Sequence, residues 1–242
     1  MNLLLLTETD RTEADHFHLA ARDRRAEHLR KVLRAVPGDT FRAGLIGGKI
    51  GTAEVIQCGR GGVELECPAF NLDPPEKCGI VPVISLPRPQ SFKKTLHFIA
   101  SSGIARAFFV GSARVEKSYW KSCALSPEAI REELVLGLEQ GKDTILPELK
   151  FYPSLEDFFS AEKTFLSGCE RHLLAHPMPG APNCPHAVPL AGNLALGIGP
   201  EGGYTPNETS LFLKQGFECV TLGADILRVE FALSVLYGKL IP

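Results

Sequence analysis

Two stretches of this 242-residue chain combine residue types and spacings that can do chemistry. The first is Leu196-Gly-Ile-Gly-Pro-Glu-Gly-Gly203. Glycines let a backbone approach a ligand closely and adopt positive φ, and the exposed N–H and C=O groups of such a loop suit an adenine edge. Gly197-x-Gly199-x-x-Gly202 also satisfies the dinucleotide-binding spacing, and Asp225 stands 23 residues beyond Gly202, near where a ribose-binding acid belongs. Three features argue against a phosphate there. Pro200 removes an N–H, and Glu201 repels an anion. The next helix starts only at Thr205-Pro-Asn-Glu208, a capping box, whereas a Rossmann helix opens inside the motif and offers its first N–H groups to the pyrophosphate. A nucleotide-dependent oxidoreductase is therefore the weaker reading. The second stretch is Leu222-Gly-Ala-Asp-Ile-Leu-Arg-Val-Glu-Phe-Ala232. Arg228 opens an apolar helix, where a cation opposes the macrodipole. That placement calls for a partner: Glu230, Glu201 or an anionic group of a substrate.

A third stretch offers binding rather than catalysis. Residues 22–49 hold eight Lys/Arg against three acids, in a chain whose net charge is −2. Phosphate binding needs such a local excess, because each neutralised phosphate releases a counterion. On a helix Arg30 and Arg34 are i,i+4 neighbours with Lys31 beside them, while Leu29, Val32 and Leu33 are expected to face inward. Tyr119 and Trp120 could stack on a base, although packing is the commoner use of such a pair.

The elements that must position these residues change character along the chain. Residues 3–6, 40–46, 51–57 and 63–67 read as short strands punctuated by glycines, with a helical stretch at 28–33, which suggests a small β-barrel or sandwich. Residues 73–79, with Pro74 and Pro75, read as a linker between a domain at 1–72 and another at 80–242. Beyond it, strands at 80–86, 107–110, 172–175, 194–198 and 219–222 alternate with helices at 92–101, 127–140, 205–215 and 228–239. That alternation indicates an α/β layer with a mainly parallel sheet. Residues 176–189 hold five prolines and read as a mobile loop. No apolar run approaches a membrane span, and the start MNLLLLTETD lacks the basic leader of a signal peptide. Seven widely spaced cysteines without a C-x-x-C define no zinc site and fit a reduced, cytoplasmic protein.

Taken together, Gly199-Pro-Glu-Gly-Gly203 with its capped helix, the Leu222–Glu230 segment with its apolar helix, and His28-Leu-Arg-Lys-Val-Leu-Arg34 followed by Gly38-Asp39 resemble the RsmE family of ribosomal RNA methyltransferases, in the SPOUT superfamily. The resemblance implies a PUA-like β-barrel that binds RNA and a C-terminal α/β domain with a trefoil knot. It implies S-adenosylmethionine as cofactor, a homodimer, and methylation of uridine N3 in 16S ribosomal RNA of the small ribosomal subunit. Carried onto this chain, it places the cofactor against Leu174, Leu196, Gly197, Ile198, Gly199, Pro200, Glu201, Gly202, Leu222, Gly223, Ile226 and Leu227. Arg228 is the expected catalytic residue, stabilising negative charge on the uracil as N3 deprotonates. Glu201 or Glu230 is the base or a ligand-positioning group, and the sequence does not choose between them. Arg22, Arg25, Arg30, Lys31 and Arg34 are the expected RNA contacts. The family's Arg-Thr-Glu-Thr-Ala appears here as Arg228-Val-Glu-Phe-Ala232, so two hydroxyls are replaced. Methylation at another RNA position, and an RNA-binding or ribosome-assembly role without turnover, are the alternatives.

Overall fold

In the computed structural model, which describes residues 2–189 and 191–242, side-chain alternation along the strands builds two separate cores. The chain divides into two units: residues up to Glu76 together with Val135–Leu146, and Lys77–Leu134 together with Pro147–Pro242.

The first unit is a curled six-stranded sheet. Strands β1 (Leu4–Leu6), β2 (His16–Ala20), β3 (Thr40–Leu45), β4 (Ile50–Gly59) and β5 (Gly62–Glu66) lie in the order β1-β3-β4-β5-β2, and β6 (Phe70–Leu72) pairs with β4. β1 is parallel to β3, and the other pairings are antiparallel. Successive side chains of β2 alternate between solvent and interior, so Phe17 and Leu19 enter a core with Leu4, Leu6, Val55 and Leu65. Helix α1 (Arg24–His28) lays Ala26 on that core, and Asp23 caps it by accepting the Arg25 N–H. The helix then widens into a π turn over Leu29–Leu33 and ends at Arg34 in the left-handed region (φ 54°).

That π turn corrects the inward face expected of 29–33. Leu29 is buried, but Val32 and Leu33 are 65% and 41% exposed. A π turn closes i→i+5 bonds, so the 100° spacing that would have carried Val32 and Leu33 round to the core is lost.

The segment Val135–Leu146, read from sequence as part of the second domain, belongs to the first unit. Its polar groups explain why. Glu139 accepts both Arg24 guanidinium nitrogens at 2.8 Å. Gly47 N–H donates to the Thr144 carbonyl at 2.8 Å, and the Thr144 hydroxyl donates to the Gly48 carbonyl. Helical periodicity gives the apolar face of a helix, not the surface that will receive it.

The second unit is a parallel sheet ordered β12-β10-β11-β7-β8-β9, from β7 (Ile80–Ser85), β8 (Arg106–Val110), β9 (Glu148–Tyr152), β10 (Arg171–Ala175), β11 (Leu194–Ile198) and β12 (Glu218–Val220). The helices are α2 (Pro89–Ser101), α3 (Pro127–Gly141, spanning into the first unit's segment), α4 (Leu155–Ala161), α5 (Lys163–Ser167), α6 (Pro206–Lys214) and α7 (Val229–Leu240). Neighbouring residues of β8 show that both faces are covered: Phe108 packs on Phe158 and Phe165 of α4 and α5, while Phe109 packs on Phe92 of α2.

The proline-rich loop, expected to be mobile, is tied down along its backbone. His176 N–H donates to the Val220 carbonyl, Cys184 N–H to Thr221, Ala187 N–H to Lys239 and Val188 N–H to Leu240. The connection from β10 to β11 is thus held against both the exit of β12 and the end of α7. Among the described residues no helix is long and apolar enough to cross a membrane.

Candidate active site

Parallel strands gather their carboxyl ends on one edge, and ligands of open α/β sheets bind beyond that edge. Here β10, β11 and β12 deliver Ala175, Ile198 and Val220 to one cleft of about 280 Å³. Its walls are the 199–204 loop, the 221–227 loop, the start of the proline-rich loop at His176 and Pro177, Arg114 from the segment after β8, and Val229 and Ala232 of α7.

The glycine loop is held from below. Tyr204 is fully buried, its hydroxyl donating to the Ile198 carbonyl and accepting from Ser85, both at 3.1 Å. Burial pushes the Tyr204 phenol well above its ordinary pKa, so it stays a neutral donor. A Cβ at Gly199 would sit 3.2 Å from the Tyr204 ring, and one at Gly202 3.2 Å from Cδ of Arg114. Gly203 (φ +71°) and Gly223 (φ +123°) take backbone conformations open mainly to glycine. The capping box closes the start of α6. Thr205 Oγ1 accepts the Glu208 N–H, and Glu208 Oε2 accepts the Thr205 N–H at 2.8 Å. Glu208 Oε1 also accepts the Ala113 N–H at 2.7 Å. The Thr205 and Glu208 N–H groups at this helix start are therefore engaged, and Pro206 has none to offer.

Ile198, Leu222, Ile226, Leu227 and Val229 give the cleft apolar walls suited to a purine, and open backbone of the glycine loop supplies donors and acceptors. Glu201 and Asp225 line it as acids and Arg114 as a base, an arrangement that fits a ligand carrying both charges. The Arg114 guanidinium donates to the Gly202 carbonyl. His176 is held below its ordinary pKa, first by burial and then by Arg114.

The sequence-derived residues divide cleanly. Ile198, Gly199, Pro200, Glu201, Gly202, Leu222, Gly223, Ile226 and Leu227 line the cleft. Leu174, Leu196 and Gly197 do not. They lie inside paired strands, with Leu174 opposite Gly197, and both leucines are fully buried. Gly197 is small for packing, since a Cβ there would meet Leu174 Cδ1 at 2.8 Å and Phe212 at 3.1 Å. Arg114, His176, Tyr204 and Asp225 were not among the candidate site residues. Only Asp225 had a usable signal, its spacing from the glycine loop.

Of the three catalytic candidates, Glu201 lines the cleft and accepts the Arg88 backbone N–H at 3.2 Å. Arg228 caps α7 from an exposed position between two cleft residues, Leu227 and Val229. It forms no ion pair among the described residues, so neither Glu201 nor Glu230 bonds it directly. Glu230 is buried against α2, outside the cleft. Burial raises its pKa, but its own backbone N–H, Ser91, Lys94 and Arg228 together bring it below the usual carboxylate value. The Phe231 ring, in place of a family hydroxyl, is half exposed with Lys94 Nζ 5.8 Å from its centroid.

The basic segment also divides. The Arg25 guanidinium is bound by Asp10 and Asp23 at 2.7–3.0 Å and donates to the Leu5 carbonyl at 2.7 Å. With its side chain 12% exposed, Arg25 is a structural cross-link, which corrects its assignment to RNA. Arg30 is similarly spent on the carbonyls of Ala21 and Gly59. Arg22, Lys31 and Arg34 are exposed, and of these Lys31 pairs with Glu27 at 3.1 Å. Tyr119 donates to Glu116 at 3.1 Å, and Trp120 is half-buried.

Comparison with known proteins bears on this geometry. The RNA methyltransferase domain family matches residues 74–240. A protein of Treponema pallidum named ribosomal RNA small subunit methyltransferase E is 31% identical over 218 residues, covering 88% of this chain and 81% of its own. Its namesake "1" from Borreliella burgdorferi is 25% identical, covering 96% and 94%. The crystal structure of a ribosomal RNA small subunit methyltransferase E from Neisseria gonorrhoeae, bound to S-adenosylmethionine, superposes with a TM-score of 0.69 at 23% identity, covering 98% of this chain and 95% of that one.

Proposed function

This chain belongs to the RNA methyltransferase family and, within it, to the RsmE group of small-subunit ribosomal RNA methyltransferases; we propose that it methylates N3 of one uridine in 16S ribosomal RNA, with S-adenosylmethionine as donor. Its fold is that of the group: a curled, barrel-like sheet domain and a SPOUT-type α/β domain. The observation that carries the reading is the cleft at the ends of β10, β11 and β12, built from apolar walls and glycine backbone ahead of a side-chain-capped helix start.

When bound, the cofactor supplies an activated sulfonium methyl, so the protein must chiefly align the attacking atom, and orientation contributes up to about 7–11 kcal/mol to lowering such a barrier. Ile198, Leu222, Ile226 and Leu227 enclose the adenosine, and Asp225 and Glu201 face the cationic part of the ligand. Uracil N3 carries a proton at neutral pH. Arg228, which forms no ion pair among the described residues, stabilises the charge that spreads to the uracil carbonyl oxygens as that proton leaves. Glu201, one of two carboxylates lining the cleft, accepts it; Glu230 is too deeply placed. On the first unit, Arg22, Lys31 and Arg34 meet RNA phosphates. The apolar side chains exposed along 226–235, Ile226, Leu227, Phe231 and Val235, support a homodimer. The site of action is the small ribosomal subunit in the cytoplasm.

The test is methyl transfer from labelled S-adenosylmethionine to small subunits lacking uridine-N3 methylation, with nucleosides identified by mass spectrometry. A gain of 3-methyluridine at one site is expected. A methylated ribose would move the reaction to the 2′-hydroxyl, and cofactor binding without transfer to any ribosomal RNA would overturn the reading.

A further inference from the structure

Glu230 is a buried charge that the cleft chemistry does not use. Its side chain is 4% exposed, yet no hydrogen bond to either carboxylate oxygen reaches full geometry among the described residues, and only its own backbone N–H and Ser91 come close enough to favour the charge. Ser91 of α2 is buried nearby, and the nearest cation, Lys94 Nζ of the same helix, stops at 3.7 Å. A buried carboxylate without hydrogen bonds destabilises the fold, so a group of neutral shape would serve packing better. What Glu230 has instead is placement. It stands in the first turn of α7, where the helix macrodipole favours an anion, two residues after Arg228 and flanked by Val229 and Ala232 of the cleft wall.

We propose that Glu230 is a positioning residue: its buried charge, drawn to Lys94 across the α2–α7 contact, fixes the first turn of α7 and so holds Arg228 at the mouth of the cleft. The attraction acts on the helix and not on the ligand, which accounts for a carboxylate that faces away from the cleft yet sits beside its walls. Lys94 serves both sides of the turn, facing the Glu230 carboxylate and the Phe231 ring. The inference rests on the methyl-transfer reading, because the function of the fixed turn is to orient Arg228 toward the uracil.

The experiment uses the full chain with Glu230→Gln and, separately, Lys94→Met. Wild-type transfer to small subunits is measured first in the same assay. Its absence refutes the methyl-transfer reading and the proposal with it, whereas active wild type beside an unimpaired Glu230→Gln refutes the proposal alone. Glu230→Gln is expected to lower kcat by about ten- to a hundredfold, the scale of a displaced catalytic group. Its S-adenosylmethionine affinity should stay within about twofold, and its melting midpoint should hold or rise, since a charge has left the interior. For Lys94→Met, the cation that favours ionised Glu230 is gone, so the acid limb of the kcat–pH profile moves to higher pH. A merely structural Glu230 would behave oppositely in the amide variant, with a lower midpoint and unchanged kcat; that result, or an acid limb unmoved in Lys94→Met, overturns the proposal.

Discussion

Replacing Arg25 with Met separates a structural cation from an RNA contact. The wild-type guanidinium satisfies Asp10, Asp23 and the Leu5 carbonyl at once. Burial works against its charge, but the two aspartates outweigh that and raise its pKa further. Methionine fills much of the volume and leaves two carboxylates facing each other, one 12% and one 25% exposed. Breaking a buried pair by removing one partner costs about 3–5 kcal/mol, and the residual exposure here places the loss near the lower end, about 3 kcal/mol. A domain of this size shifts its midpoint about 4–8 °C per kcal/mol, so the first unit should melt about 12–24 °C lower by calorimetry. The loss should depend on pH in a fixed direction. Both aspartates have folded pKa values below the usual 3.8; burial alone would raise them, and Arg25 reverses it. Their contribution to wild-type stability is therefore complete above 3.8 and disappears as pH falls through the lower folded values. In the variant, protonation relieves the repulsion, so its deficit against wild type narrows on acidification. The salt dependence of RNA binding, measured below the variant's melting range, should be unchanged. A midpoint within about 2 °C of wild type together with a shallower salt slope would refute the structural assignment and return Arg25 to the RNA surface.

Removing the charges of Lys31 and Arg34 together should reduce the salt slope of RNA binding by about one for each phosphate no longer neutralised, while cofactor affinity is unchanged by calorimetry. An unaltered slope would make them a solvated face. Arg228→Met should lower kcat by about a hundred- to a thousandfold, as for loss of one charge-stabilising donor, with S-adenosylmethionine still bound; near-normal turnover removes Arg228 from the mechanism. Gly197→Ala should cost about 1–3 kcal/mol by denaturant titration, because its new methyl meets Leu174 and Phe212, and folded protein should keep its cofactor affinity. Lost affinity at unchanged stability would put Gly197 back in the binding site.

The sequence determined what local chemistry and periodicity encode. The capping box at Thr205-Pro-Asn-Glu208 is visible because an N-cap hydroxyl and a carboxylate three residues on satisfy each other within one turn. The strand at Leu194–Ile198 and helix α3 followed from unbroken apolar runs and spacing. The split between a β-rich start and an α/β remainder followed from glycine punctuation giving way to alternation. Short strands such as His16–Ala20 and Phe70–Leu72 were not legible, since a few alternating residues resemble any polar loop.

Tertiary structure decided which members of a motif face a ligand and which face the core. Gly197 and Gly199 belong to one glycine pattern, yet strand pairing buries the first and the sheet edge presents the second. Arg25 and Arg34 belong to one basic run, yet Asp10 on a separate turn claims Arg25, and a π turn leaves Arg34 in solvent. Arg228 and Glu230 belong to one short motif, yet the first is the exposed, extended residue before the helix, between the cleft residues Leu227 and Val229, and the second is buried against α2. Arg114 and His176 enter the cleft only because parallel strands distant in sequence end on the same edge. Residue type and spacing fix which groups are available; the direction each one points is set by packing partners far away in the chain.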